Sequence, residues 1–173
     1  FLGEWCCLYS RKAQWEKFDS EVLAYHWDDR NKLYEDYKYC CELLEKILIL
    51  LTEKLNEIHN VNHTLKYWRI LIGPWLINFL PIVLDRWSCL NNAILTKSIS
   101  EVIILKTSDQ AYVPYGMQNF STFQEDDWWN NHLYSLILQS INLKKITYKH
   151  VIKINKKKTK DSFSITSKLK SFI

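Results

Sequence analysis

Glycine is scarce in this chain of 173 residues: only Gly3, Gly73 and Gly116 are present, and they lie far apart. Phosphate-binding loops of the forms G-x-x-x-x-G-K-[ST] and G-x-G-x-x-G need clustered glycines, because the backbone must approach the phosphate closely. The sequence therefore excludes both of these loops.

The cysteines lack the C-x-x-C spacing of a zinc ribbon or a thioredoxin-like redox motif. The five of them occur as two neighbouring pairs, Cys6-Cys7 and Cys40-Cys41, together with Cys89. Free thiols are typical of a reducing cytoplasm. We expect a cytoplasmic protein with no metal site and no cofactor.

The chain also lacks a long unbroken apolar run. Its longest apolar stretch, residues 70–84, contains Asn78 and is interrupted by Pro74 and Pro81. A membrane-spanning helix needs about 20 apolar residues, so we expect no transmembrane segment. The first residues do not form the apolar core of a signal peptide either.

Positive charge is concentrated at the end of the chain. Ten lysines and a single acidic residue, Asp161, follow residue 143, whereas the preceding part carries 13 basic and 18 acidic side chains. Blocks of like charge are usually solvated and mobile, which predicts a flexible lysine-rich tail over residues 155–173. Because this tail has no arginine and few aromatic residues, we expect no specific nucleic acid as a partner.

Aromatic residues are abundant, with eight tryptophans, and the apolar pattern is mostly helical. Between residues 31 and 59 the apolar positions recur in steps of three and four, which predicts one long amphipathic helix. Asp28 and Asp29 precede it, where a carboxylate can accept hydrogen bonds from free backbone N–H groups. A second helix is expected over residues 63–72.

Gly73-Pro74 is expected to stop that second helix and to start a third, over residues 74–95. Proline inside a helix removes a hydrogen bond, so a bend is expected at Pro81. The third helix is apolar on nearly all sides until Asp85, which predicts the buried centre of a helical region over residues 1–97.

The pattern changes in residues 98–154, for which the sequence predicts an α/β region. Residues 101–105 form a short apolar run suited to a buried strand. A capping-box pattern at residues 122–125 predicts the start of a helix that continues to about Leu143. Apolar and polar residues alternate over residues 146–154, which predicts a second strand. Strand, helix and strand in this order are typical of a βαβ unit with a parallel sheet. The expected fold class is α/β, predominantly helical, with long amphipathic helices followed by the start of a Rossmann-like domain.

Three clusters of residues could carry chemistry. The first, YHWDDR at residues 25–30, places His26 beside Asp28, Asp29 and Arg30. These side chains could exchange protons or hold a phosphate or a sugar. A helix cap with a local Asp–Arg pair explains the same residues, and spacing alone favours the cap.

The second cluster contains His59 and His63, separated by Asn60 and Asn62. Two histidines four residues apart can share a metal on a helix, but the asparagines indicate a turn and no H-E-x-x-H motif is present. Caps and turn hydrogen bonds explain these residues more simply than a metal does.

The third cluster surrounds Arg69, which has aromatic and apolar neighbours from Tyr67 to Trp75. An unpaired buried charge is costly, so the guanidinium needs a partner. The partner could be structural, Asp85 or Asp28, or it could be the diphosphate of a ligand. The spacing does not decide between them.

Several segments together resemble a family of transferases encoded in bacterial gene clusters for O-antigen and other surface polysaccharides. They are FLGEWCCLYSRK at 1–12, YHWDDR at 25–30, IHNVNHTLKYWRILIGPWL at 58–76, LDRW at 84–87 and DDWWNNHLYS at 126–135. The resemblance covers about residues 1–147. Because members of the family are several times longer, it implies the N-terminal part of a larger glycosyltransferase-like enzyme.

The resemblance implies an activated sugar or related donor and a carbohydrate acceptor as substrates, at a site peripheral to the inner membrane. A carboxylate or histidine would deprotonate the acceptor hydroxyl, an arginine would offset the charge of the leaving phosphate, and a tryptophan would stack on a sugar. The alternative is a non-catalytic helical interaction module, or a degenerate remnant of such an enzyme. The catalytic candidates are His26, Asp28 and Asp29, and the substrate-binding candidates are Arg30, His59, His63, Arg69 and Trp75.

Overall fold

The computed structural model describes residues 1–106, 112–141 and 147–152, and it is mostly helical. The predicted tail over residues 155–173 lies outside the described residues. Short 3-10 turns occur at Glu4–Cys6, Tyr9–Arg11 and His26–Asp28. The regular elements in chain order are α1 (Lys12–Trp15), α2 (Arg30–His59), α3 (Leu65–Thr96), β1 (Glu101–Lys106), α4 (Met117–Phe123), α5 (Asp127–Ile141) and β2 (Thr147–Ile152).

Helix α2 has a capping residue at each end, Asp29 before its first residue and Asn60 after its last. The Asp29 carboxylate accepts hydrogen bonds from the backbone N–H groups of Asn31 (2.9 Å) and Lys32 (3.2 Å). At the other end, Asn60 adopts the left-handed conformation with φ of 51°, a conformation that asparagine tolerates better than most residues. The predicted long helix with an aspartate cap is therefore confirmed.

Helix α3 runs without interruption from Leu65 to Thr96 and contains both Pro74 and Pro81. The predicted break at Gly73-Pro74 is wrong, and so is the predicted start at residue 63. Thr64 caps the helix by accepting a hydrogen bond from the Tyr67 N–H at 3.3 Å. A proline in a helix interior costs roughly 3 kcal/mol. Tertiary packing of the surrounding turns offsets this cost, because each buried leucine contributes about 1.5–3 kcal/mol.

Two hydrophobic clusters hold α3 in place. The first lies between α2 and α3, where Leu48, Leu76 and Leu80 are buried. The second joins the C-terminal half of α3 to β1, α4 and α5, and it includes Phe120, which is 1% exposed. Trp75 contacts both clusters. The other buried members of the second cluster are Leu90, Ile104, Trp129, Leu133, Ile137 and Leu138.

Strands β1 and β2 pair in parallel, with Glu101 opposite Thr147 and Lys106 opposite Ile152. Two paired strands are not the sheet of a Rossmann-like domain, so that finer expectation stays a prediction, as do the predicted domain boundaries. Asn131 of α5 binds the β1 backbone twice, through Leu105 N–H (3.2 Å) and Leu105 C=O (2.9 Å). This pair of bonds fixes α5 against the strand.

The start of α5 differs from the predicted capping box. Residues 117–123 form the separate helix α4, so Thr122 is inside a helix rather than at a cap. Asp126 caps α5 instead, because its Oδ1 accepts from the N–H groups of Trp128 (2.9 Å) and Trp129 (2.8 Å).

Helix α3 is long and apolar enough to cross a membrane, judged by length and composition only. The sequence argument against a spanning segment relied on a break at the prolines, which the structure does not have. A mostly buried core helix of a globular protein passes the same test, but only 17% of the apolar window of α3 is buried. The expectation of no transmembrane segment therefore stays a prediction.

Candidate active site

A cleft of about 1230 Å³ opens between the N-terminal segment, α3, β1 and the start of α5. The N-terminal segment is anchored across it, since the N–H of Leu23 donates to the Phe1 carbonyl at 3.0 Å and Lys97 binds the Glu21 carboxylate at 2.6 Å. Small-molecule sites usually measure about 300–1,000 Å³, so the cleft has room for a sugar and a diphosphate. Its lining combines apolar walls with ionisable and amide side chains.

Asp85 and Arg86 of α3 form the polar floor of the cleft. Arg86 donates from Nη1 to Asp85 Oδ2 and from Nε to Asn130 Oδ1 at 2.9 Å. Asp85 is 3% exposed, and a buried carboxylate needs such a partner. Asn130 is held in turn by its own bonds to the carbonyl oxygens of Gln124 and Asp126. The guanidinium therefore has a fixed orientation and remains partly exposed.

Two tyrosines, Tyr25 and Tyr134, border this floor. Burial raises the pKa of both phenols, and the negative charge of Asp85 raises it further. Both hydroxyls therefore stay protonated at neutral pH. The Tyr134 ring also lies 6.0 Å from the Arg86 guanidinium carbon.

A second polar group lies behind the floor, where His26 meets Asp85 and Cys89. His26 Nε2 is 3.6 Å from Asp85 Oδ1, and His26 Nδ1 is 3.8 Å from the Cys89 sulfur. Burial lowers the pKa of His26, although Asp85 opposes this effect. Burial and the Asp85 charge raise the pKa of Cys89 to about 12. At neutral pH the imidazole is therefore neutral and the cysteine is a thiol.

The first predicted cluster is divided by the structure. Asp28 is exposed and lines the cleft, whereas Asp29 is occupied as the cap of α2. Arg30 is exposed at the first residue of α2. His26 does not line the cleft, and its side chain is 6% exposed. Among these four candidates, Asp28 is the one that faces a ligand-sized space.

The second predicted cluster forms the turn between α2 and α3. Asn56 accepts from the His63 N–H (3.0 Å) and donates to the His63 carbonyl (2.9 Å). The His63 ring stacks on Tyr67 at 3.9 Å, and His59 stacks on Trp68 at 6.0 Å. Turn hydrogen bonds hold the His63 backbone, and ring stacking packs both histidines, whose role in substrate binding stays a prediction.

Arg69 has a structural partner that the sequence did not suggest. Its guanidinium makes two hydrogen bonds to the Glu45 carboxylate of α2, at 2.5 and 2.6 Å, and its side chain is 43% exposed. Trp75 stacks on Phe79 with ring centroids 4.7 Å apart. Neither residue lines the cleft, so the structure brings neither together with Asp28.

Sequence reasoning missed Arg86, Asn130 and Tyr134 as cleft residues. All three lie within the segments LDRW and DDWWNNHLYS that carried the resemblance. The available signal was the presence of an arginine and an amide in these segments. Their proximity in space, however, depends on the packing of α5 against α3.

No curated protein and no solved structure shows significant similarity to this chain. A family model described as LIC12162 family transferase matches residues 1–173, which extends beyond the segments that carried the resemblance. The match agrees with the transferase part of the expectation. The chain belongs to the LIC12162 family of transferases.

Proposed function

We propose that this transferase transfers a sugar from an activated donor to a carbohydrate acceptor in the cytoplasm, during bacterial O-antigen or other surface-polysaccharide biosynthesis. One observation carries the proposal: Asp28 of YHWDDR and Asp85-Arg86 of LDRW, distant in sequence, line the same cleft. A carboxylate and a guanidinium in one cleft are the two charges that glycosyl transfer from a phosphate donor needs.

Arg86 is the residue suited to the donor phosphate. Two of its nitrogens are used by Asp85 and Asn130, and among the described residues none accepts a hydrogen bond from Nη2. Guanidinium groups bind phosphate oxygens with a planar fork. Because protein hydrogen bonds already fix the group, little reorganisation is needed when the phosphate binds. Arg11 also lines the cleft, where it forms an ion pair with Asp127 at 3.7 Å.

Asp28 is the residue suited to the acceptor. An acceptor hydroxyl placed in the cleft would donate its proton to the Asp28 carboxylate as its oxygen attacks the donor sugar carbon. The bond from that carbon to the phosphate breaks, and Arg86 offsets the charge on the departing phosphate. Trp5, which lines the cleft and is 45% exposed, offers an aromatic surface for a sugar ring in place of Trp75.

The test is a thermal-shift screen of the chain against nucleoside-diphosphate sugars, followed by titration of those that raise the melting temperature. Arg86→Lys keeps the charge but removes the fork, so it should weaken binding by about tenfold or more. Arg69→Lys is the matched control, because Arg69 lies outside the cleft and binds Glu45. Equal donor affinity of Arg86→Lys and the parent chain would contradict the phosphate role of Arg86.

A non-catalytic helical interaction module is the second candidate function. The observation in its favour is the apolar exposed surface of α3, where Ile70, Leu71 and Ile77 are 69%, 59% and 56% exposed. Contiguous exposed apolar side chains often mark a protein–protein contact. Failure of every sugar nucleotide in the screen to stabilise the parent chain would favour this second function.

A further inference from the structure

A buried group of three side chains behind the cleft floor has the composition of a metal site. His26 lies in the 3-10 turn before α2, while Asp85 and Cys89 lie four residues apart on α3 and so project from the same face of the helix. One ligand atom from each residue lies within 4.8 Å of the other two. Two distant parts of the chain therefore bring a nitrogen, an oxygen and a sulfur ligand together.

Two of the polar atoms in this group are buried without a hydrogen bond. They are His26 Nε2 and Asp85 Oδ1, which lie 3.6 Å apart in side chains that are 6% and 4% exposed. Buried polar atoms are nearly always satisfied in folded proteins, and an exception calls for an explanation such as a bound ion. A cation between the two atoms would satisfy both.

The hydrogen bonds around these residues leave His26 Nε2 and Asp85 Oδ1 available as ligand atoms. Arg86 uses Asp85 Oδ2 and not Oδ1. Histidine binds metals through a ring nitrogen that carries no proton, and His26 Nε2 has no hydrogen-bond partner here. The nearby sulfur of Cys89 becomes a strong ligand once its proton is released on metal binding.

We propose that His26, Asp85 and Cys89 bind a zinc ion. Imidazole and thiolate ligands favour zinc over magnesium or calcium, which prefer oxygen ligands only. Tetrahedral zinc bonds of about 2.0–2.3 Å separate ligand atoms by roughly 3.3–3.8 Å, so the widest pair here must contract by about 1 Å.

Three protein ligands leave a fourth position for water or a ligand oxygen. Asp85 connects this site to the cleft, because it also lines the cleft. The site does not depend on the identity of the sugar donor.

Cobalt substitution tests the site without an activity assay. The reduced chain is treated with a chelator, the chelator is removed, and the chain is titrated with Co²⁺. A thiolate ligand gives a sulfur-to-cobalt charge-transfer band in the near ultraviolet. We expect one Co²⁺ per chain, displaced by one equivalent of Zn²⁺. Cys89→Ser should abolish the band and weaken zinc binding by at least about 100-fold, since even indirect ligand partners contribute 10–100-fold.

The control variants separate this site from binding by other cysteines. Cys40→Ser removes a buried cysteine on α2 outside the group and should leave the band and the zinc affinity unchanged. Asp85→Asn and His26→Gln should each weaken zinc binding, with folding checked by circular dichroism. The proposal is overturned if the parent chain binds no Co²⁺ or Zn²⁺. It is also overturned if the band survives Cys89→Ser but is lost when Cys6 and Cys7 are replaced by serine.

Discussion

The contact between α2 and α3 determines whether the two long helices form one packed unit, and Leu48→Ala tests it directly. Leu48 is 0% exposed and packs against Leu76 and Leu80 of α3. Leucine-to-alanine changes at fully buried sites destabilise proteins by about 2–5 kcal/mol, from lost burial and the cavity that remains. At about 2–4 °C per kcal/mol for a chain of this size, the melting temperature should fall by roughly 4–20 °C.

Leu50→Ala is the matched control, because Leu50 lies on the same helix but is 64% exposed. Surface substitutions usually change stability by less than about 0.5 kcal/mol, and alanine is at least as good a helix former as leucine. Both variants should be compared with the parent chain by thermal unfolding and by urea unfolding. Equal melting temperatures for Leu48→Ala and Leu50→Ala would refute the packing of α2 on α3.

Two further predictions follow from the pKa of His26 and from the cap of α5. Because burial lowers the pKa of His26, the unfolded chain binds the proton more readily, so stability should fall as the pH drops below about 6.5. His26→Gln should reduce this dependence of the urea midpoint on pH, and an unchanged slope would contradict it. Asp126→Ala removes the acceptor for Trp128 and Trp129 N–H and should cost about 0.5–2 kcal/mol in urea unfolding; an unaltered midpoint would remove Asp126 as the cap.

Helix α2 could be predicted from sequence because local physics decides it. Its apolar period, its aspartate cap and its asparagine end all lie within about one turn of the residues they affect. Helix α3 could not be predicted in the same way. Local rules end a helix before Pro74. In the structure the helix continues through Pro74, and the residues that follow it, Leu76 and Leu80, are buried. That burial depends on α2, which no local pattern reports.

The partner of Arg69 could not be identified from sequence for a related reason. Its neighbours in sequence are apolar, and the candidates for its partner were Asp85, Asp28 and the diphosphate of a ligand. In the structure Ile70 is 69% exposed and Arg69 reaches the exposed carboxylate of Glu45. Apolar neighbours on a helix therefore did not indicate burial, because α3 exposes part of its apolar surface.

The cleft was predictable only in part. YHWDDR contained Asp28, which lines the cleft, but nothing local connects residues 25–30 to Asp85 or Arg86. Their meeting requires the N-terminal segment to fold back over α3, where Leu23 binds Phe1 and Glu21 binds Lys97. The group of His26, Asp85 and Cys89 has the same origin, and its only local signal is the four-residue spacing on α3.

Asp85 and Arg86 of α3 limit how a membrane or a protein partner could cover the exposed apolar surface of this helix. By length and composition the helix could cross a membrane. Asp85 and Arg86 lie within it, however, and charged side chains inside a bilayer need pairing partners that also lie inside the bilayer. Here the partners come from elsewhere in the chain: Asn130 of α5 accepts from Arg86, and His26 lies 3.6 Å from Asp85. Any environment that covers Ile70, Leu71 and Ile77 must therefore leave the C-terminal half of α3 in contact with α5 and with the turn at His26. Ile70, Leu71 and Ile77 lie in the N-terminal half of α3, whereas Asp85 and Arg86 of the cleft lie in its C-terminal half, where Trp87 and Leu95 are also exposed.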